Sequence, residues 1–272
     1  MLLDACTIAL TAQANYRDTN EPKTLVSIPL EDYMEQCGTP LTKASKDKTR
    51  RKVKKDLEAI YSTSLEWSEP KGKQQVLDFA KMRICDMVGI KTGNIVMNFS
   101  PLMAHYLTHA YIMQYPMELF KLGDKNPNSY YLGKKLLQHH SIDNNQLKGT
   151  ANIISVKALL ECTPEMPSYE AVKSKDRHLT QRIIDPFQRD MDALSSIFTW
   201  EYCNSKGVPL TDEQLQGFNY KVFIACYIHF TPLNAPDQSA RLQAKTERVK
   251  RIRRKASKKK NYNTADLFEG GY

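Results

Sequence analysis

One order of elements is written twice along this 272-residue chain, and that repetition constrains the fold more than any other feature. In the first copy, Leu2 to Ala12 has helical periodicity and Thr24 to Ile28 reads as a short strand. Pro29 to Gln36 follows as a short helix, closed by Gly38 and Pro40. A longer helix spans about Ser45 to Ser62. Ser64 to Trp67 is strand-like, and so is Phe79 to Val88, where Ala80, Met82 and Ile84 alternate with Lys81, Arg83 and Cys85. A turn at Lys91-Thr92-Gly93-Asn94 then leads to Ile95 to Phe99, with Ile95, Met97 and Phe99 on one face.

The second copy starts at Ile153 and Ile154, a strand candidate, with Ser155 placed to cap a short helix ending near Cys162. Thr163 to Pro167 forms a turn, and a long helical pattern runs from about Lys173 to Ser196. Phe198, Trp200 and Tyr202 alternate on one strand, and Val222, Ile224, Cys226, Ile228 and Phe230 on another. Gly207, Pro209 and Gly217 between them predict a long wing. Between the copies, Ser100 and Pro101 open a helix to about His109, and Tyr130 to His140 is helical up to the polar break Asp143-Asn144-Asn145.

Two tightly joined helices followed by a β-hairpin is the order of a winged helix-turn-helix. The expected fold class is therefore α+β: two tandem winged helix-turn-helix domains joined by a helical linker, with a basic C-terminal tail. The expected boundaries are 1–126 for the first domain, 127–145 for the linker, 146–235 for the second domain and 236–272 for a basic, disordered tail.

Charge identifies the class of partner. The net charge is +9, yet residues 241–260 hold eleven Lys or Arg against Glu247 alone, which leaves 28 basic and 29 acidic residues elsewhere. A second concentration lies at 43–55, with eight Lys or Arg against Asp47. Such runs suit a polyanion, because neutralising phosphates releases counterions. No stretch approaches the roughly 20 apolar residues of a membrane helix. The apolar opening run is interrupted by Asp4 and lacks a basic leader, so it reads as a helix rather than a signal peptide and points to the cytoplasm. Cys6, Cys37, Cys85, Cys162, Cys203 and Cys226 are scattered singly, as suits reduced core thiols.

On a helical wheel of 45–62, Val53, Leu57, Ile60 and Ser64 share one stripe, with Tyr61 on its shoulder. Lys48, Arg51, Lys52 and Lys55 fall opposite, with Ser45 near the start of that face. A helix that docks on a core with one side and reaches phosphates or guanines with the other divides in this way. In the second copy Leu179, Ile183, Phe187, Met191 and Leu194 form the buried stripe. Lys175, Arg182 and Arg189 recur every seven residues opposite it, beside His178, Gln181 and Asp185. Pro186 interrupts this pattern, either kinking the helix or beginning a new one.

These segments resemble a known family. Arg182-Ile183-Ile184-Asp185-Pro186, with Met191, Leu194 and the aromatic strand beyond, is similar to the signature in the second winged helix of iteron-binding, theta-type plasmid replication initiators. Arg50-Arg51-Lys52-Val53-Lys54-Lys55-Asp56-Leu57 and Leu65 to Trp67 resemble the first, and Asn128 to His140 their interdomain helix; the resemblance covers roughly residues 1–232. It implies a protein that binds directly repeated double-stranded sites at an origin, helps open the duplex and recruits host helicase and primase machinery. It also implies an equilibrium in which dimers repress their own gene while monomers start replication. The chain departs from the family in starting within the first helix, which would shorten the first domain, and in its basic tail.

Lys48, Arg51, Lys55 and Lys175 are expected to position the protein on phosphates. Lys52, Gln181 and Arg182 are expected to read base edges, with Ser45, His178 and Arg189 at the same surfaces. No catalytic residue, metal or cofactor is expected. A strand-nicking rolling-circle initiator needs a His-hydrophobic-His strand, and no His-x-His occurs. His105 and His109 are spaced i, i+4 but have no convincing acidic partner, and no phosphate-binding Gly-rich loop is present. Asp190 and Asp192 are expected to face solvent or nearby cations. A winged-helix repressor is the competing reading.

Overall fold

The chain folds as two units, Met1–Tyr130 and Tyr131–Tyr272. The computed structural model describes residues 1–13, 23–71, 74–109, 115–122, 126, 128–175, 178–211, 213–214 and 218–233, with backbone alone at 67–71, 74–80, 109, 143, 174 and 175. The basic tail and Gly217 lie outside the described residues.

In the first unit, α1 (Leu2–Thr11) buries Leu2, Ala5, Cys6 and Leu10, one stripe at helical spacing. Strand β1 (Leu25–Pro29) alternates, turning Val26 and Ile28 inward, and runs directly into α2 (Leu30–Gln36). Gly38 ends α2 with a φ of +65°. That conformation lets Thr39 N donate to Met34 O (2.8 Å) and Gly38 N to Glu35 O (2.9 Å), satisfying carbonyls the helix leaves open. Four residues later α3 (Lys43–Ser62) begins, so α2 and α3 form the helix-turn-helix.

After α3 come β2 (Ser64–Lys71) and β3 (Gln74–Arg83), an antiparallel pair forming its own two-stranded sheet. This pair is the wing. The chain then bends at Ile84 and continues as β4 (Cys85–Lys91) and β5 (Asn94–Phe99), which make a three-stranded sheet with β1 in the order β1-β5-β4. Thr92 and Gly93 both take positive φ (51° and 81°), the tight-turn geometry whose twist matches paired strands.

The expected single strand Phe79–Val88 is thus two strands in two sheets. Ser100 fixes the break: its hydroxyl donates to Arg83 O (2.8 Å) and its N–H to Ile84 O (3.1 Å). Alternation runs unbroken across that bend because a period of two reports facing, not which strand lies alongside. Helix α4 (Pro101–His109) follows, with Met103 N donating to the Ser100 hydroxyl (3.3 Å). Tyr115, Phe120 and Tyr130 cluster at 5.4–6.4 Å between ring centroids, and the Tyr130 hydroxyl donates to the Asp4 carboxylate. Burial and then the nearby Asp4 charge push the Tyr130 phenol far above its ordinary range.

Helix α5 (Ser129–Ser141) spans the division, and the second unit continues with α6 (Asp143–Leu147), β6 (Ile153–Ser155), α7 (Val156–Leu160) and α8 (Tyr169–Lys175). A wide π-turn (Thr180–Ile184) leads into α9 (Asp185–Asp192), then come β7 (Phe198–Cys203), α10 (Tyr220–Ala225) and β8 (Tyr227–Pro232). Its sheet runs β6-β8-β7. His139 ties α5 to the approach to β6, Nε2 lying 3.0 Å from Thr150 O and 2.9 Å from Ile153 O. Phe187, Phe198, Phe223 and Phe230 are fully buried, with edge-on contacts between Phe187 and Phe223 (5.3 Å) and between Phe198 and Phe230 (5.7 Å).

Two expectations are corrected here. The helix expected from Lys173 to Ser196 is divided: α8 stops at Lys175 and α9 at Asp192. Val222 to Phe230 is a helix followed by a strand, because the Asn219 side chain accepts from Lys221 N (2.9 Å) and Val222 N (3.3 Å) and caps α10. Within the expected long wing the described residues form a tight turn, in which Asn204 N donates to Val208 O (2.9 Å) and Cys203 bridges Pro209, while Gly217 lies outside the described residues. Gly207 is required in that turn, since its φ is +79° and a Cβ would lie 2.7 Å from Ile153 Cδ1.

Four of the six cysteines are buried, Cys37 and Cys162 are half-buried, and all six are free thiols. Burial pushes the Cys6 thiol up to about 12.

Candidate nucleic-acid interface

Helix α3 is positioned by its ends and its stripe. Thr42 caps it, accepting from Ser45 N at 3.2 Å, so the helix starts two residues earlier than its sequence pattern suggested. Val53 and Leu57 are 1% and 3% exposed and anchor the inner face. At about 1.5 Å per residue, the 20-residue helix is roughly 30 Å long. Lys48, Arg51, Lys52 and Lys55 are all exposed on the side away from that anchor, with Arg50 and Lys54 flanking them.

The cations are not equivalent. Lys46 is paired with Glu31 of α2 and Lys54 with Glu58 (3.9 Å). Arg51 Nε donates to Asp47 O (3.3 Å), which lays the guanidinium along the helix. Ser45 is half-buried and takes part in the cap, since the Thr42 hydroxyl donates to its Oγ at 2.9 Å.

Sequence reasoning missed the wing's own basic groups. Lys81 pairs with Glu66 directly across the hairpin (2.6 Å), and Arg83 lies over the Tyr61 ring of α3. In the sequence these are only the polar phase of an alternating strand. The β2–β3 register is what places them beside the end of α3.

In the second unit His178, Gln181, Arg182 and Arg189 are exposed, while Ile183, Ile184, Phe187 and Met191 face the core. Pro186 sits in the first turn of α9 directly after the π-turn. Its ring would clash with the carbonyl four residues back in a regular helix, and the wider turn relieves that crowding. Lys175 belongs to α8, so its seven-residue spacing from Arg182 does not put the two on one helical face; its side chain lies outside the described residues. Asp190, expected to face solvent or nearby cations, is fully buried, whereas Asp192 is exposed.

Among the described residues, no group of three or more His, Cys, Asp or Glu is placed to hold a metal, and no helix is long and apolar enough to cross a membrane.

Residues 5–121 match the family model described as Initiator Replication protein, WH1. That stretch runs from within α1 to beyond α4, including the cationic helix and the hairpin beside it. The match covers less than half of the chain, and over that stretch the chain is similar to replication initiators. A solved structure titled as domain 2 and domain 3 of RctB is similar at 11% identity, with a TM-score of 0.44, over 85% of this chain and 82% of the other. No curated protein matches. The match ends before the second unit, whose helices and β6-β8-β7 sheet repeat a winged-helix order.

Proposed function

We propose that this protein is a replication initiator that binds repeated double-stranded sites at a plasmid replication origin and recruits host replication proteins there, without catalysing a reaction itself. One observation carries the reading: α3 presents Lys48, Arg51, Lys52 and Lys55 as an exposed ridge of single sign while Val53 and Leu57 fasten its other side. A solvated helix face usually mixes charges, whereas a ridge of one sign favours a polyanion.

In this reading Lys48, Arg51, Lys55 and Lys175 hold phosphates, and Lys52 reads a base edge from the first unit. Gln181 and Arg182 read base edges from the second, with His178 and Arg189 on the same surface and Ser45 at the approach to the first. The tail at 241–260 adds affinity without sequence preference. Exchange between a homodimer and a monomer would separate repression from initiation.

Footprinting on the DNA flanking the protein's own gene is the direct test, with protection of spaced repeats as the expected result. Arg182→Ala should weaken binding to the protected site by roughly 1–3 kcal/mol while changing random-duplex binding little. Equal losses on both duplexes would remove Arg182 from base reading, and an absence of protected repeats would refute the origin-binding reading.

A further inference from the structure

Where α3 ends, its last turn and the return strand of the wing border an open hollow of about 440 Å³, lined by Ser62, Ser64, Lys81, Met82 and Arg83. Its two cations are held in different ways. Lys81 is matched by Glu66 across the hairpin. Arg83 has its Cζ 5.4 Å from the centroid of the Tyr61 ring, and its Nη1 donates to the Tyr61 hydroxyl at 3.4 Å. Among the described residues its partner is therefore an aromatic side chain and not a carboxylate, and its charge is not neutralised.

A guanidinium over an aromatic face keeps its full charge and its rigid fork of donors. Being held in one orientation, it loses less freedom on meeting a phosphate than a lysine on a mobile stem would. Tyr61 belongs to α3 and Arg83 is the last residue of β3, so the contact also joins the cationic helix to the wing.

One effect opposes anion binding here: the C-terminal end of a helix carries partial negative charge. The sequence reduces it locally. The Ser62 hydroxyl donates to Glu58 O (3.0 Å) and Ala59 O (2.9 Å), and the Thr63 hydroxyl donates to Ala59 O (2.8 Å), so donors meet carbonyls of the last turn. A full guanidinium charge outweighs the partial charge that is left.

We infer that Arg83, braced on Tyr61, is a phosphate-binding site that seats one DNA backbone phosphate in this hollow. The Ser64 hydroxyl and Lys81 line the same space, and the contact fixes how far α3 enters its groove. The inference rests on the duplex-binding reading of α3, and it adds a contact that this helix does not itself supply.

The test uses the full chain and a fluorescein-labelled random-sequence duplex about three helical turns long, with anisotropy titrations between about 50 and 200 mM salt. Arg83→Ala should weaken binding and make the log–log salt slope shallower by about 0.9, the signature of one lost phosphate. Arg83→Lys should keep the slope and lose affinity, because charge remains while fork and stacking go. Tyr61→Leu should do the same, whereas Tyr61→Phe should stay near wild type. Arg83→Gln replaces the alanine variant if that variant melts early. A wild-type slope for Arg83→Ala, with Arg51→Ala shallower in the same series, would overturn the Arg83 site and leave the α3 reading intact. Unchanged slopes for both would overturn the duplex-binding reading itself.

Discussion

Replacing Lys48, Arg51, Lys52 and Lys55 together by Gln removes four exposed cations from α3 without touching Val53 or Leu57, which hold the helix in place. Each phosphate contact contributes about 0.9 to the salt slope, which is roughly a 3.5-fold change in affinity between 50 and 200 mM salt. With Lys48, Arg51 and Lys55 on phosphates and Lys52 on a base edge, the slope falls by about 2.7, and roughly 40-fold of the salt sensitivity across that range disappears. The tail supplies its own share, so the quantity to read is the difference between variant and wild type, measured by anisotropy on one duplex at several salt concentrations. Surface substitutions of this kind change stability by about 0.5 kcal/mol each or less, so circular dichroism and the melting temperature should report an intact fold. A variant with native stability and an undiminished slope would show that this ridge does not lie on DNA.

Deleting 241–260 should weaken binding on every sequence and flatten its salt dependence, and an identical slope in the shortened protein would exclude the tail from the contact. Gly207→Ala should lower the stability of the second unit by roughly 1–2 kcal/mol, because φ is +79° and Ile153 occupies the space a Cβ needs; a thermal melt matching wild type would contradict this. Phe187→Ala should cost about 3–5 kcal/mol in the same unit, since the ring is fully buried against Phe223, and a denaturant midpoint close to wild type would argue against that core. Cys6 gives a pH test: with the folded thiol raised to about 12, its stabilising contribution is complete below the ordinary thiol range and is lost as pH climbs through that interval. Between about pH 9 and 11 the melting temperature should therefore fall more steeply in wild type than in Cys6→Ala, and parallel curves would show that Cys6 is not the group responsible.

The parts of the fold legible in the sequence were those in which one residue sets local geometry. Gly38 stops α2, Ser155 caps α7 with its hydroxyl 3.2 Å from Ala158 N, and Val53 with Leu57 announces the inner side of α3. The parts misread were those in which pattern and partner separate. Alternation from Ala80 to Ile84 survives a bend between two sheets, and Val222 with Ile224 alternates although Asn219 starts a helix there. For the candidate site, the α3 ridge could be found because burial and charge have the same period. Arg83 could not, because its relation to Tyr61 depends on strand pairing 22 positions away. Lys175 was grouped with Arg182 by equal spacing, which has meaning only within one continuous helix, and α8 ends at Lys175.

The wide turn before Pro186 ties residue count to residue identity in this stretch. Removing one position between Thr180 and Ile184 would tighten the backbone onto the proline ring and rotate His178 by about 100° relative to everything downstream. Replacing the proline alone would leave the surplus residue without the constraint that accommodates it. A shortened loop and an ordinary residue at 186 are therefore compatible only as a joint change, and natural variation should add or lose the two together.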